Sequence, residues 1–69
     1  MEFKDKVLYC RARLNLTQLD LANRLKVSVI TINRWENGVV VPTKKAELAF
    51  DIFCAENDIS FSQDKLEKM

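Results

Sequence analysis

Apolar residues recur at helical spacing over most of this 69-residue chain. In the first segment they fall on one side of a helix, and most of the charged residues fall off that line. The members of this first apolar row are Phe3, Val7, Cys10 and Leu14. The spacing predicts a helix over residues 3–14. Asn15 is placed to end it, because asparagine tolerates the left-handed conformation that often follows a helix.

Residues 17–38 predict two short helices joined by a tight turn. Thr17 and Asp20 have the spacing of a capping box, in which each residue satisfies a backbone N–H at the start of a helix. Ser28 is a natural N-cap for the following helix, and Gly38 is placed to end it. The first of these two helices then runs to about residue 25.

The sizes of the side chains in this segment fit two helices that cross closely. Such a crossing requires apolar residues at fixed positions and one small residue where the helices touch. The positions that fit are Leu21, Leu25, Val27, Ile32 and Trp35, with the small residue at Ala22. Lys26 and Val27 then form the turn. An ordinary amphipathic hairpin rarely matches all six positions, so the pattern predicts a helix-turn-helix.

The second half of the chain predicts one strong helix and one weak element. Val39 to Val41 predict an extended loop closed by Pro42, because a lone strand has nothing to pair with. Thr43 can cap a helix over residues 44–56. This helix is strongly apolar through Leu48, Ala49, Phe50, Ile52, Phe53 and Ala55. Residues 60–68 predict a short last helix or a frayed end. The whole chain, residues 1–69, is interpreted as a single domain.

Composition argues against an enzyme and against a metal site. The chain lacks histidine, the commonest general base and metal ligand, and its single glycine excludes glycine-rich phosphate loops. We therefore expect no catalytic residue, no metal and no cofactor. Cys10 and Cys54 lie within apolar patterns without a secretory signal before them, so they predict core thiols in a reducing, cytoplasmic compartment rather than a disulfide. No apolar stretch is long enough to span a membrane.

The formal net charge is only +1, which is low for a protein that binds nucleic acid. The charge is unevenly distributed, however. Residues 1–57 carry nine Lys or Arg against seven Asp or Glu, whereas residues 58–69 carry two against three. The small positive surplus therefore lies in the part that holds the helix-turn-helix.

The segment TQLDLANRLKVSVITINRWENG resembles the phage-repressor, Cro-like family of regulators, often called XRE-type. The likeness extends from Arg11 to Pro42. It implies an all-α bundle of four or five helices, as in lambda-repressor-like domains. It also implies sequence-specific binding to double-stranded DNA, mostly as a homodimer on a palindrome. Two positions depart from the family, because Lys26 stands at the turn position usually held by glycine, and Asn15 replaces the glycine after the first helix.

In such a fold the third helix enters the major groove with its N-terminal half. The residues predicted to read bases there are Val29, Ile30, Thr31, Asn33 and Arg34. Arg34 suits bidentate pairing with guanine, and a phosphate contact or a surface charge is the alternative. Val29 and Ile30 suit contact with thymine methyl groups, with burial against a partner protein or the fourth helix as the alternative. Thr31 suits a base or a phosphate, whereas Asn33 reads a base or points along the backbone.

Other polar residues are predicted to hold the DNA backbone or the fold. The resemblance implies that Gln18 clamps a phosphate at the start of the second helix, where free N–H groups favour an anion. The remaining candidates for phosphate contacts are Lys26, Asn37, Lys44 and Lys45, and for the last three a solvated surface position is the alternative. The resemblance also implies that Arg11 and Glu36 form a structural ion pair between the first and third helices.

Together these observations predict a small DNA-binding transcriptional regulator, of repressor type, that binds a palindromic operator as a homodimer. The alternative is an antitoxin-like or assembly module that uses the same fold for protein contacts. Low net charge and the apolar Val29, Ile30 and Val39–Val41 favour that alternative. A separate regulatory protein partner is compatible with both.

Overall fold

The computed structural model describes residues 1–61, which contain four helices and no strand. The helices are α1 (Phe3–Leu14), α2 (Gln18–Leu25), α3 (Val29–Glu36) and α4 (Lys44–Glu56). The all-α fold and all four predicted helices are confirmed. Of the weaker last element, Ser60 and Phe61 lie in no helix, and residues 62–68 lie outside the described residues. Within residues 1–61, no helix has the length and apolar character needed to cross a membrane.

Three helices begin at a hydroxyl side chain, as the sequence predicts. The oxygens of Thr17, Ser28 and Thr43 each accept the backbone N–H three residues further on, at 3.0 to 3.1 Å. Each bond satisfies one of the N–H groups that an α-helix leaves unpaired at its start. These caps place the first residues of α2, α3 and α4.

Each of the four helices is closed by a residue with left-handed backbone. These residues are Asn15, Lys26, Gly38 and Asp58, with φ angles from 55° to 70°. In every case the next residue donates its backbone N–H to the carbonyl five residues earlier, at 2.8 to 3.0 Å. This is the Schellman type of helix end, which usually employs glycine because other residues carry a steric cost there. Here only one of the four closures is a glycine.

The core lies between the four helices, each of which contributes at least two buried side chains. Its buried residues are Val7, Cys10, Leu21, Ala22, Ile32, Trp35, Phe50, Phe53, Cys54 and Ile59. Phe3 packs edge-on against both Trp35 and Phe50, with ring centroids 5.2 Å apart in each pair. Of the six positions in the predicted helix crossing, four are buried, and Leu25 and Val27 pack against the core from its edge.

The two cysteines are buried free thiols that contact each other across α1 and α4. Burial raises the pKa of Cys10, and burial together with the neighbouring Cys10 thiol raises the pKa of Cys54 to about 12. The prediction of core thiols is therefore confirmed. A thiol with so high a pKa stays protonated and unreactive at neutral pH.

Candidate nucleic-acid interface

A capping box fixes the start of α2. Asp20 donates its N–H to the Thr17 hydroxyl oxygen at 3.0 Å, and the Asp20 carboxylate accepts the Thr17 N–H at 3.1 Å. This backbone hydrogen bond from Thr17 holds the pKa of Asp20 below its usual value. Among residues 1–61, no acceptor pairs with the backbone N–H groups of Gln18 and Leu19. Two donors at the positive end of α2 are therefore free for an anion.

The turn between α2 and α3 is made by Lys26, whose backbone is left-handed with φ of 60°. Val27 then donates its N–H to the Ala22 carbonyl at 3.0 Å, which closes α2 before Ser28 opens α3. The Lys26 side chain is exposed, and both Lys26 and Lys45 line an apolar groove between α2 and α4. Lys26 thus exposes its charge to solvent, while its backbone adopts the left-handed conformation that glycine usually provides at this position.

The outer face of α3 carries four of the five predicted base-reading residues. Val29 is 38% exposed and Ile30 is 61% exposed, so the fourth helix does not cover them. Asn33 and Arg34 are exposed as well. Thr31 differs from the expectation of full exposure: it is half-buried, and its hydroxyl lies 3.0 Å from the Ser28 hydroxyl that caps the helix. This contact holds Thr31 against the start of α3.

Arg34 and Asn33 differ in how they are held. Within the described part of the chain, no hydrogen-bond or ion-pair partner occupies the Arg34 guanidinium. The Asn33 amide oxygen accepts from the Asn37 side chain at 3.1 Å. Asn33 and Asn37 therefore form an exposed pair along the last turn of α3, which links a predicted base reader to a predicted phosphate contact. The five donors of Arg34 remain available to an external ligand.

A charged network joins α1, α2 and α3 behind this face. Arg11 donates to both carboxylate oxygens of Glu36, at 2.6 Å through Nε and 3.0 Å through Nη2, and to the Leu16 carbonyl at 3.1 Å. The two side chains are 23% and 6% exposed respectively. The hydrogen bonds to Glu36 raise the pKa of Arg11. Such a bidentate pair is strong because both of its bonds are charge-assisted.

Gln18 belongs to the same network, a contact that the sequence analysis missed. Its amide nitrogen donates to Oε1 of Glu36 at 2.8 Å, the same oxygen that accepts from Nη2 of Arg11. The side-chain NH₂ of glutamine has two hydrogens, so one N–H remains free after this bond. Glu36 thus orients the amide of Gln18 at the start of α2. A glutamine and a glutamate separated by 18 positions give no local signal for such a contact.

The two predicted lysine contacts on α4 lie on different sides of that helix. Lys45 lines the groove together with Lys26, whereas Lys44 lies one residue earlier and points about 100° away around the helix axis. Both are exposed. In the described residues, no group of three or more acidic, cysteine or histidine side chains could hold a metal ion.

Comparison with protein families identifies this arrangement. A family model described as helix-turn-helix matches residues 7–46, which is more than half of the chain and spans most of α1 and all of α2 and α3. The comparisons with curated proteins and with solved structures gave no match. The geometry already described fits the family match: two capped helices cross closely, and the second presents an outer face with an unpaired arginine. The chain therefore belongs to the helix-turn-helix family of Cro-like, XRE-type DNA-binding regulators.

Proposed function

We propose that the chain is a small repressor that reads a specific DNA sequence through the outer face of α3. The observation that carries this proposal is the unpaired Arg34 guanidinium on the same face as Val29 and Ile30. An arginine in the major groove donates two hydrogen bonds to one guanine, and aliphatic side chains contact thymine methyl groups. Asn33 lies on this face as a further base reader. Thr31 is half-buried and lies at the margin of the surface that would contact DNA.

Phosphate contacts frame the reading face in this proposal. The network around Glu36 fixes the Gln18 amide, so its free N–H joins the backbone N–H groups at the start of α2 in holding one phosphate. Asn37 and the lysines Lys26 and Lys45 provide the remaining exposed donors. Lys44 lies on another row of α4. As a homodimer on a palindrome, the protein would place two α3 helices about 34 Å apart, one turn of DNA.

Selection of bound sequences from random DNA tests the proposal directly. We expect a single enriched sequence with twofold symmetry. Two lysines in each subunit would displace about four counterions per dimer, so the slope of log affinity against log salt should be about −3.6. A slope near zero, or selection without any enriched sequence, would refute DNA reading.

Arg34→Ala separates base reading from phosphate binding. We expect it to cost about 1–3 kcal/mol on the selected sequence and to relax preference at one base pair, because the guanine loses its bidentate partner. The fold should be unaffected, since the side chain is exposed and bonded to no described residue. Lys45→Ala is the matched control, which should weaken binding to all sequences alike. An equal loss on all sequences for Arg34→Ala would assign that residue to phosphate.

A second candidate function is an antitoxin-like or assembly module on the same fold. The exposure of Ile30 and of Val39 to Val41, which reaches 89% at Val41, favours it. Apolar residues exposed together often mark a protein contact. The salt dependence discriminates between the two functions, because an apolar protein contact persists at high salt whereas lysine–phosphate contacts weaken.

A further inference from the structure

An exposed ridge of α4 carries a row of four residues spaced four positions apart, and the C-terminal half of this row borders the groove between α4 and α2. From the N-terminal end they are Lys44, Leu48, Ile52 and Glu56. Residues four apart lie on one ridge of a helix, so the row runs along the whole of α4. Leu48 is 59% exposed and Ile52 is 50% exposed. The two terminal charges are exposed as well, and no described residue forms an ion pair with either.

The order of charges along this row makes it complementary to itself. If two copies of α4 lie antiparallel, with the twofold axis level with the midpoint between Leu48 and Ile52, each Leu48 faces the other copy's Ile52. The same alignment brings each Lys44 opposite the other copy's Glu56, at both ends of the contact. Self-complementarity of this kind is what a twofold interface requires, since the same surface must serve both subunits. A parallel alignment would instead oppose like charges.

Small residues beside the row allow two helices to approach. Ala49 and Ala55 are exposed and flank the ridge on either side, and Ala49 lies on the side that faces α2. Ridges spaced at four residues pack into the grooves of a like helix at an angle of about −50°. The alanines would form the shallow grooves that receive Leu48 and Ile52 of the other copy.

We propose that this row is the surface through which two copies of the chain associate. Its occupant is a second copy, because the charge order and the apolar centre fit the same row in reverse. The inference deepens the proposed function, which requires a dimer, and it assigns Lys44 to the subunit contact rather than to phosphate. One helix face per subunit is smaller than the roughly 1,200–2,000 Å² of a stable interface. The free dimer is therefore weak.

Sedimentation of the full chain without DNA tests the proposal through charge exchange. Lys44→Glu and Glu56→Lys each oppose like charges at both ends of the homodimer, and each should raise its dissociation constant about tenfold. An equimolar mixture of the two variants should restore association. In that heterodimer the introduced glutamate faces the introduced lysine at one end, and the two native residues face each other at the other end. The double variant should also dimerise, since both of its end pairs are opposite in charge.

Controls on the same protein keep the test specific. Glu47→Lys makes the same change of charge on the same helix but off the row, and Leu8→Asp changes an exposed leucine on α1, so both should dimerise normally. Leu48→Asp should give a monomer of unchanged melting temperature. Failure of the mixture to recover association overturns the antiparallel contact. A wild-type chain that stays monomeric at every concentration also overturns it. If Leu48→Asp then lowered the stability of that monomer, the segment that covers the row would be residues 62–69 of the same chain.

The proposed function can fail independently of this contact. Binding of the wild-type chain to a single half-site is measured on its own. A monomer that still reads a half-site would reject the α4 contact alone, whereas a dimer without sequence preference would reject DNA reading alone.

Discussion

The left-handed backbone of Lys26 predicts a measurable gain of stability from glycine. A side chain with a Cβ in this conformation costs about 1–2 kcal/mol, whereas glycine adopts it freely. Glycine also gives the unfolded chain more freedom, which offsets about 0.4–1 kcal/mol of the gain. The backbone φ of 60° and the Val27 to Ala22 hydrogen bond of 3.0 Å should persist, because neither depends on the side chain. The net expectation for Lys26→Gly is about 0.5–1 kcal/mol of added stability.

The comparison with Lys26→Ala isolates the backbone from the charge. Both variants remove the ammonium group, but alanine keeps the strained Cβ, so Lys26→Gly should be about 0.5–1 kcal/mol more stable than Lys26→Ala. In a domain of this size, that difference corresponds to about 2–8 °C in melting temperature. Urea unfolding at constant m-value provides the free energies. If Lys26 also holds a phosphate, both variants should reduce the magnitude of the salt slope of the DNA-bound dimer equally, by about two, because each subunit loses one contact.

A glycine variant no more stable than the alanine variant would refute a steric cost at the Lys26 backbone. That result would mean that the turn relaxes to another conformation when the side chain is shortened. A loss of DNA affinity confined to one of the two variants would contradict the phosphate contact of Lys26, because neither retains an ammonium group.

Two further predictions concern the buried polar and thiol groups. Arg11→Ala should cost about 3 kcal/mol, because the Glu36 carboxylate, 6% exposed, loses its cation. Adding Glu36→Gln should recover part of this loss in urea unfolding, and a double variant as unstable as the single one would argue against a stranded charge. The pKa of Cys54, about 12 in the fold against 9.0 for a free thiol, predicts a second effect. The folded state resists deprotonation of Cys54. The contribution of this thiol to the free energy of unfolding is therefore complete below pH 9 and is lost as pH rises toward 12. In urea unfolding at a series of pH values, the stability of Cys54→Ala should therefore fall less steeply above pH 9 than that of the wild type. If stability falls equally steeply in both proteins, Cys54 is not the source of the pH dependence.

The boundaries of the helices were predictable because local chemistry sets them. Thr17, Ser28 and Thr43 mark helix starts through their hydroxyl groups, and Asn15 marks an end through its tolerance of left-handed backbone. Each of these signals depends on residues within one turn. The exposure of the α3 face was predictable for the same reason, since Ile32 and Trp35 fix which side of that helix turns inward.

Contacts between distant segments were not predictable in the same way. The bond from Gln18 to Glu36 depends on how α2 and α3 cross, and the contact of Cys10 with Cys54 depends on where α4 docks on α1. The division of α4 into an inner and an outer side was also missed. Its apolar residues surround more of the helix than a core requires, so only the packing of Phe50 and Phe53 shows that Leu48 and Ile52 face outward.

The contact between the two thiols gives the protein an internal reporter of its own opening motions. Cys10 lies on α1 and Cys54 on α4, and both are almost completely shielded from solvent. A thiol reagent can therefore modify them only when these two helices separate. The rate of labelling, measured at increasing concentrations of denaturant, would show whether α4 detaches by itself or only when the whole domain unfolds. A helix that detaches alone would carry the outward row of α4 away from the reading helix, and the lifetime of any dimer would then be set by that local motion.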